Sequence, residues 1–134
     1  MQSLNILLDK EYKATADKIF GLFEDLTVFK LTGADVIDCD MVENGTFSLI
    51  FNERGIIYGR FIELIRNSKI TMQWNIEGFA MPTELDTLVE ITINKNKNGT
   101  VIQLKHSNIP STGSLQAKTK AWTEILNDLS TKLI

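Results

Sequence analysis

The 134-residue sequence is poor in the side chains that build metal sites and covalent cross-links, since it contains one cysteine, Cys39, and one histidine, His106. A single cysteine excludes an internal disulfide, and these two residues cannot supply the four protein ligands of a structural zinc site. No Gly-x-Gly or Gly-x-x-x-x-Gly-Lys sequence occurs, so the glycine-rich loops that bind dinucleotides and nucleotide phosphates are missing. The sequence therefore predicts neither a metal nor a cofactor.

Charge and hydropathy exclude further classes of protein. The net charge is −3 and the sequence pI about 5.1, which offers no basic surface for nucleic acid or for an anionic membrane. No apolar run reaches the eighteen or so residues that a membrane-spanning helix needs, and the N-terminus lacks a secretory apolar stretch. We therefore expect a cytoplasmic protein with no nucleic-acid partner and no membrane span.

The first third of the sequence predicts one strand and two short helices. Alternating apolar residues from Leu4 to Leu8 indicate an opening strand. Thr15 is the expected N-cap of a helix whose apolar residues recur at helical spacing between Ala16 and Phe23. A second short helix is expected around Phe29, ended by Gly33.

The middle of the sequence predicts an antiparallel sheet, because short strand patterns alternate with turn residues. We expect a bend or a bulge at Gly59 and a long loop over residues 77–86, which contain Gly78 and Pro82. The predicted strands cover residues 35–40, 46–51, 56–65, 70–76, 87–94 and 100–107.

After Pro110 the apolar period becomes helical, and the stripe that includes Trp122, Leu126 and Leu129 predicts a long C-terminal helix. With 43% apolar and 23% charged residues, the composition is globular. We therefore predict an α+β fold that forms a single domain over residues 1–134, with a curved antiparallel sheet of six or seven strands around the C-terminal helix and two short helices after the first strand.

Six short segments carry a resemblance to a known family. They are residues 16–20 (ADKIF), 44–49 (NGTFSL), 59–64 (GRFIEL), 69–74 (KITMQW), 104–110 (LKHSNIP) and 121–126 (AWTEIL). With the predicted order of elements, they resemble the helix-grip fold of the START-like (SRPBCC) superfamily and, within it, the family of heat-shock protein 90 ATPase activators. The resemblance implies a sheet that wraps around the terminal helix, and as partners either a hydrophobic small molecule or a chaperone of the heat-shock protein 90 type. An N-terminal motif rich in asparagine and tryptophan, found in the two-domain eukaryotic activator, has no counterpart here.

Apolar side chains that share the inner face of the predicted sheet form either a closed core or a ligand cavity, depending on how closely the terminal helix packs. Both outcomes stay open at the level of sequence. The candidate cavity-lining residues are Phe47, Phe61, Met72, Trp74, Phe79, Ile91, His106, Trp122 and Leu126.

His106 shares a strand face with Ile102 and Leu104, so it is expected under the terminal helix. There it is either a core histidine held by hydrogen bonds or a polar group that meets a ligand. The acidic residues Asp38 and Asp40 share one strand face and indicate either a solvated sheet edge or a cation site.

Three functions follow as alternatives. The first is a noncatalytic domain that binds a hydrophobic small molecule between sheet and helix. The second, implied by the family resemblance, is a co-chaperone-like domain that binds its partner through the outer surface. The third is an enzyme that acts in the cavity through His106, for which the sequence shows no second catalytic residue.

Overall fold

The computed structural model describes residues 4–133 as a seven-stranded antiparallel sheet with three helices. The predicted α+β fold class is confirmed. In chain order the elements are β1 (Leu4–Tyr12), α1 (Ala16–Glu24), α2 (Thr27–Lys30), β2 (Val36–Cys39), β3 (Thr46–Phe51), β4 (Gly55–Ile65), β5 (Lys69–Gly78), β6 (Met81–Asn96), β7 (Gly99–Ile109) and α3 (Thr112–Thr131).

The sheet order β1-β7-β6-β5-β4-β3-β2 places the first two strands at opposite edges. The helices α1 and α2 make the connection between these edges, and β2 to β7 then follow as a meander of neighbouring strands. The terminal helix α3 lies over the inner face of the curved sheet, where the Tyr12 hydroxyl of β1 donates a hydrogen bond to the Leu126 carbonyl at 2.7 Å.

The two longer helices begin where the sequence provides an N-cap. The Thr15 hydroxyl accepts a hydrogen bond from the backbone N–H of Lys18, and the Ser111 hydroxyl accepts one from Ser114. Each cap satisfies one of the backbone donors left unpaired at a helix start. The buried residues of α1 are Ala16, Ile19, Phe20 and Phe23, as predicted.

The prediction of a long loop over residues 77–86 is wrong. Strand β5 continues to Gly78 and strand β6 begins at Met81. A tight turn at Phe79 and Ala80, whose φ angles are 59° and 54°, joins the two strands. The Phe79 ring packs against Phe51 with ring centroids 5.2 Å apart, so side-chain packing stabilises a turn that local sequence disfavours. Pro82 lies where the register shifts, so the ladder does not require its missing N–H.

The irregularity predicted at Gly59 lies elsewhere in the same strand. Gly59 pairs in register with Phe47 of β3 and Trp74 of β5, and the register shifts only at Ile62. Gly59 is needed for another reason: a Cβ at this position would lie 1.8 Å from the Gln73 carbonyl oxygen. The glycine therefore permits close approach of β4 and β5.

Aromatic rings connect α2 through the sheet to α3. The ring centroid of Phe47 lies 5.5 Å from the centroid of Phe61 and 5.5 Å from that of Trp74. The centroids of Trp74 and Trp122 are 5.2 Å apart. Phe29 of α2 extends the cluster at 6.1 Å from Phe47. These rings are buried, and they fix the face of α3 that meets the sheet.

Candidate functional site

An apolar pocket of about 390 Å³ opens on one side of α3, between that helix and the strands β3 to β6. Its helical wall includes Ala117 and Ala121, whose small side chains leave space beside the helix. Its strand wall includes Ile57 of β4, Met81 of β6 and, from the turn that joins β5 to β6, Phe79. These three side chains are only half-buried. The remaining residues that line it are Thr32, Phe51, Trp74, Ile76, Lys118, Trp122 and Ile125.

The structure divides the nine predicted cavity residues into two groups. Trp74, Phe79 and Trp122 meet at the pocket. The other six are buried and do not line it, because the central part of α3 packs closely against the sheet. This second group consists of Phe47, Phe61, Met72, Ile91, His106 and Leu126.

His106 is fully buried behind the pocket, and both of its ring nitrogens are hydrogen-bonded. The Trp122 indole N–H donates to Nδ1 at 3.0 Å, so Nε2 carries the proton and donates to the Thr87 hydroxyl at 2.9 Å. That hydroxyl donates in turn to the Trp74 carbonyl at 2.6 Å. The network connects α3 to three strands and leaves neither nitrogen free for catalysis.

Burial lowers the pKa of His106 to about 3, and the positive charge of Lys118 contributes in the same direction. The imidazole is therefore neutral throughout the physiological range. A neutral ring with one fixed tautomer suits the hydrogen-bond network that the geometry shows. The structure thus places His106 in the core, as a histidine held by hydrogen bonds.

Lys118 is the one charged residue among the twelve that line the pocket, and it is 7% exposed. Its ammonium lies 2.6 Å from Glu84 Oε1 of β6 and donates a hydrogen bond to the Ser114 hydroxyl at 2.7 Å. Glu84 is also buried, so the two charges compensate each other in a region of low dielectric. No pattern in the sequence predicts this pair.

The family model described as Activator of Hsp90 ATPase homolog 1-like protein matches residues 13–133, almost the whole chain. The chain belongs to this family. Membership supports a ligand-binding or co-chaperone-like domain. No curated protein matches the sequence.

Solved structures share the fold of this chain at low sequence identity. The Aha1 dimer from Colwellia psychrerythraea is 24% identical, with a TM-score of 0.76 over 99% of this chain and 96% of that one. An HSP90 activator from Plasmodium falciparum is also 24% identical, with a TM-score of 0.72 over 98% and 95%. CalU16 from Micromonospora echinospora is 19% identical, with a TM-score of 0.75 over 96% and 75%. These similarities show the fold.

Other candidate groups of this family member lie apart from the pocket. Cys39 is on the edge strand β2, separated from the His106 strand by four intervening strands, and burial together with Asp40 and Asp38 raises its thiol pKa to about 11. The acidic residues Asp38, in β2, and Asp40, directly after it, are both exposed at this edge of the sheet. Within residues 4–133 no cluster of potential metal ligands occurs, and no helix is long and apolar enough to cross a membrane.

Proposed function

We propose that the chain forms a single, noncatalytic binding domain for an apolar small molecule, held in the pocket beside α3. The observation that carries this proposal is the pocket itself: about 390 Å³ in volume, with aromatic and aliphatic walls. Pockets of this size with few polar groups are typical of small-molecule sites.

Partly exposed apolar side chains in the strand wall support the proposal. Ile57, Phe79 and Met81 face the pocket but are only half-buried, although most of the inner face is closed. A ligand that covers them removes apolar surface from water, which contributes roughly 25 cal/mol for each Å². Trp74 and Trp122 add flat aromatic surfaces suited to a planar ligand.

The surroundings of the pocket support binding without catalysis. His106 lies behind Trp122 with both nitrogens occupied, and its pKa of about 3 makes it a poor base at neutral pH. Cys39 lies on a distant edge strand. The family is in general a noncatalytic binding fold.

The first experiment is a screen of lipids and aromatic metabolites by thermal shift and native mass spectrometry. We expect a bound ligand in the wild-type protein and its loss in Ala121→Phe, because the added ring occupies the pocket at the helix wall. The matched control is Thr123→Phe, an exposed position of α3 that does not line the pocket. The absence of binding in the wild type, or equal binding by all three proteins, contradicts the proposal.

A co-chaperone-like function is the second candidate, favoured by the family match and by the similarity to an HSP90 activator from Plasmodium falciparum. Such binding would use the outer surface of the domain. The test is a pull-down with a chaperone of the Hsp90 type from the same cell, followed by an ATPase assay. Chaperone binding that persists in Ala121→Phe separates this function from pocket binding, while the absence of chaperone binding contradicts it.

A further inference from the structure

We propose that the pocket selects an uncharged ligand bearing a hydrogen-bond acceptor, such as a ketone oxygen, which is bound by the ammonium group of Lys118. This inference rests on the proposed function, because it specifies the ligand class of the same pocket. Two features of the pocket support this selection: the number of N–H donors in the Lys118 ammonium group, and the charge of the Glu84 carboxylate paired with it.

The donors of Lys118 are not all used by the protein. An ammonium group has three N–H donors. Among residues 4–133 it has two partners, the Glu84 carboxylate at 2.6 Å and the Ser114 hydroxyl at 2.7 Å. Both partners border a neighbouring surface cleft, whereas Lys118 itself lines the apolar pocket. The third N–H has no partner among residues 4–133, and we assign it to a ligand acceptor on the pocket side, where Lys118 lines the wall.

The charge of the pair determines which ligands fit. Glu84 already neutralises Lys118, and both residues are more than nine-tenths buried. A ligand carboxylate beside Lys118 would add a second negative charge close to buried Glu84, where screening by water is weak. A cationic ligand would meet the ammonium directly. An uncharged acceptor gains a hydrogen bond from a charged donor without adding charge to the pocket.

Three naphthalenes of nearly equal shape test this selection. 2-Acetylnaphthalene provides a ketone oxygen, 2-isopropenylnaphthalene replaces that oxygen with a methylene group, and 2-naphthoate carries a carboxylate. Binding is measured by ligand-observed NMR at pH 7.4. We expect the ketone to bind about tenfold more tightly than the hydrocarbon, the usual gain from a hydrogen bond to a charged donor. We expect 2-naphthoate to bind more weakly than both.

The double variant Lys118→Met, Glu84→Gln assigns the effect to the ammonium group, because it removes the donor and its counter-charge together and leaves no unpaired buried charge. The ketone preference should fall to about twofold or less, while the hydrocarbon still binds. A preference that persists in a folded double variant overturns the assignment to Lys118. If this variant does not fold, the wild-type comparison decides the matter.

The two proposals fail in different ways. If the wild-type protein binds ketone and hydrocarbon equally, or prefers the carboxylate, the selection by Lys118 is wrong while an apolar binding pocket remains. If no naphthalene binds, and none of the screened lipids or metabolites binds either, the binding function is wrong and the inference falls with it.

Discussion

Trp122 connects the terminal helix to the sheet through both packing and a hydrogen bond. Its ring lies 5.2 Å from Trp74, and its indole N–H donates to His106. We expect Trp122→Ala to lower the free energy of unfolding by about 3–5 kcal/mol, the usual cost of deleting a large buried aromatic side chain. The measurement is urea denaturation followed by circular dichroism.

Trp122→Phe is the matched control, since it retains a ring but removes the indole N–H. It should cost less than the alanine variant, although His106 Nδ1 then lacks its donor. A urea midpoint for Trp122→Ala equal to that of the wild type would contradict the packing of α3 described here.

His106 makes stability depend on pH. Its pKa is about 3 when folded and about 6.5 when unfolded, so between these values the unfolded chain binds the extra proton. The stability that arises from holding His106 in its neutral form is fully present above the unfolded pKa, and it is lost as pH falls toward 3. Between pH 7 and pH 5 we expect the free energy of unfolding to fall by about 2 kcal/mol because of this residue.

The comparison protein for this titration is His106→Gln, which retains a donor and an acceptor but does not titrate. Urea denaturation at several pH values should show a shallower decline for the variant between pH 7 and pH 5. Parallel pH profiles for the two proteins would show that His106 is not the titrating group.

Single residues could be predicted where a local pattern determines them. Thr15 and the buried face of α1 follow from hydroxyl capping and helical spacing, and both are confirmed. The Lys118–Glu84 pair could not be predicted, because its partners come from elements 34 positions apart in sequence. One signal was present: Lys118 lies within the apolar stripe of α3, where an unpaired charge would be costly.

At the scale of elements, the ion pair between Lys118 and Glu84 connects α3 to β6. Lys118→Met should destabilise the domain by about 3–5 kcal/mol, since it leaves Glu84 buried without its counter-charge. The double variant with Glu84→Gln should recover a substantial part of that loss. The measurement is a double-mutant cycle in urea, and purely additive effects of the two substitutions would contradict a coupled buried pair.

Substitution by alanine should have opposite effects on stability at two glycines, Gly59 in strand β4 and Gly21 in helix α1. Gly59→Ala should destabilise severely, because the new Cβ would overlap the Gln73 carbonyl and separate β4 from β5. A Cβ added at Gly21 in α1 would have no neighbour within 4 Å. Gly21→Ala should therefore raise the free energy of unfolding by about 0.5–1 kcal/mol, because alanine has the higher helix propensity. Thermal denaturation followed by circular dichroism measures both, and equal melting temperatures for the two variants would contradict this distinction.

Most elements follow from periodicity, and the β5–β6 turn shows where periodicity fails. Gly78 and Pro82 favour a loop in local sequence. The structure has a hairpin instead, because Phe79 packs on Phe51, a contact between residues 28 positions apart. The predicted loop contains Glu84, which in the structure lies near the start of β6, so the loop prediction also hides the partner of Lys118.

At the scale of the whole molecule, the site depends on how much of the sheet α3 covers. The sequence indicated that the sheet's inner face and α3 would meet, but it left open whether a cavity remains. In the structure the centre is closed around Trp122 and Leu126, and an apolar pocket remains beside Ala117 and Ala121. The position of a helix across a curved sheet depends on all its contacts together, so no local pattern contains it.

The most direct test of binding in the pocket beside α3 is a methyl-resolved NMR titration of the wild-type protein with 2-acetylnaphthalene. We predict saturable shifts at the methyl groups of Ile57, Ile76 and Met81, which line the pocket. Ile19 and Ile109, buried away from it, should shift little. Saturable chemical-shift changes confined to residues outside the pocket would contradict binding in the pocket beside α3. The absence of any chemical-shift change at every ligand concentration that stays in solution would contradict it as well.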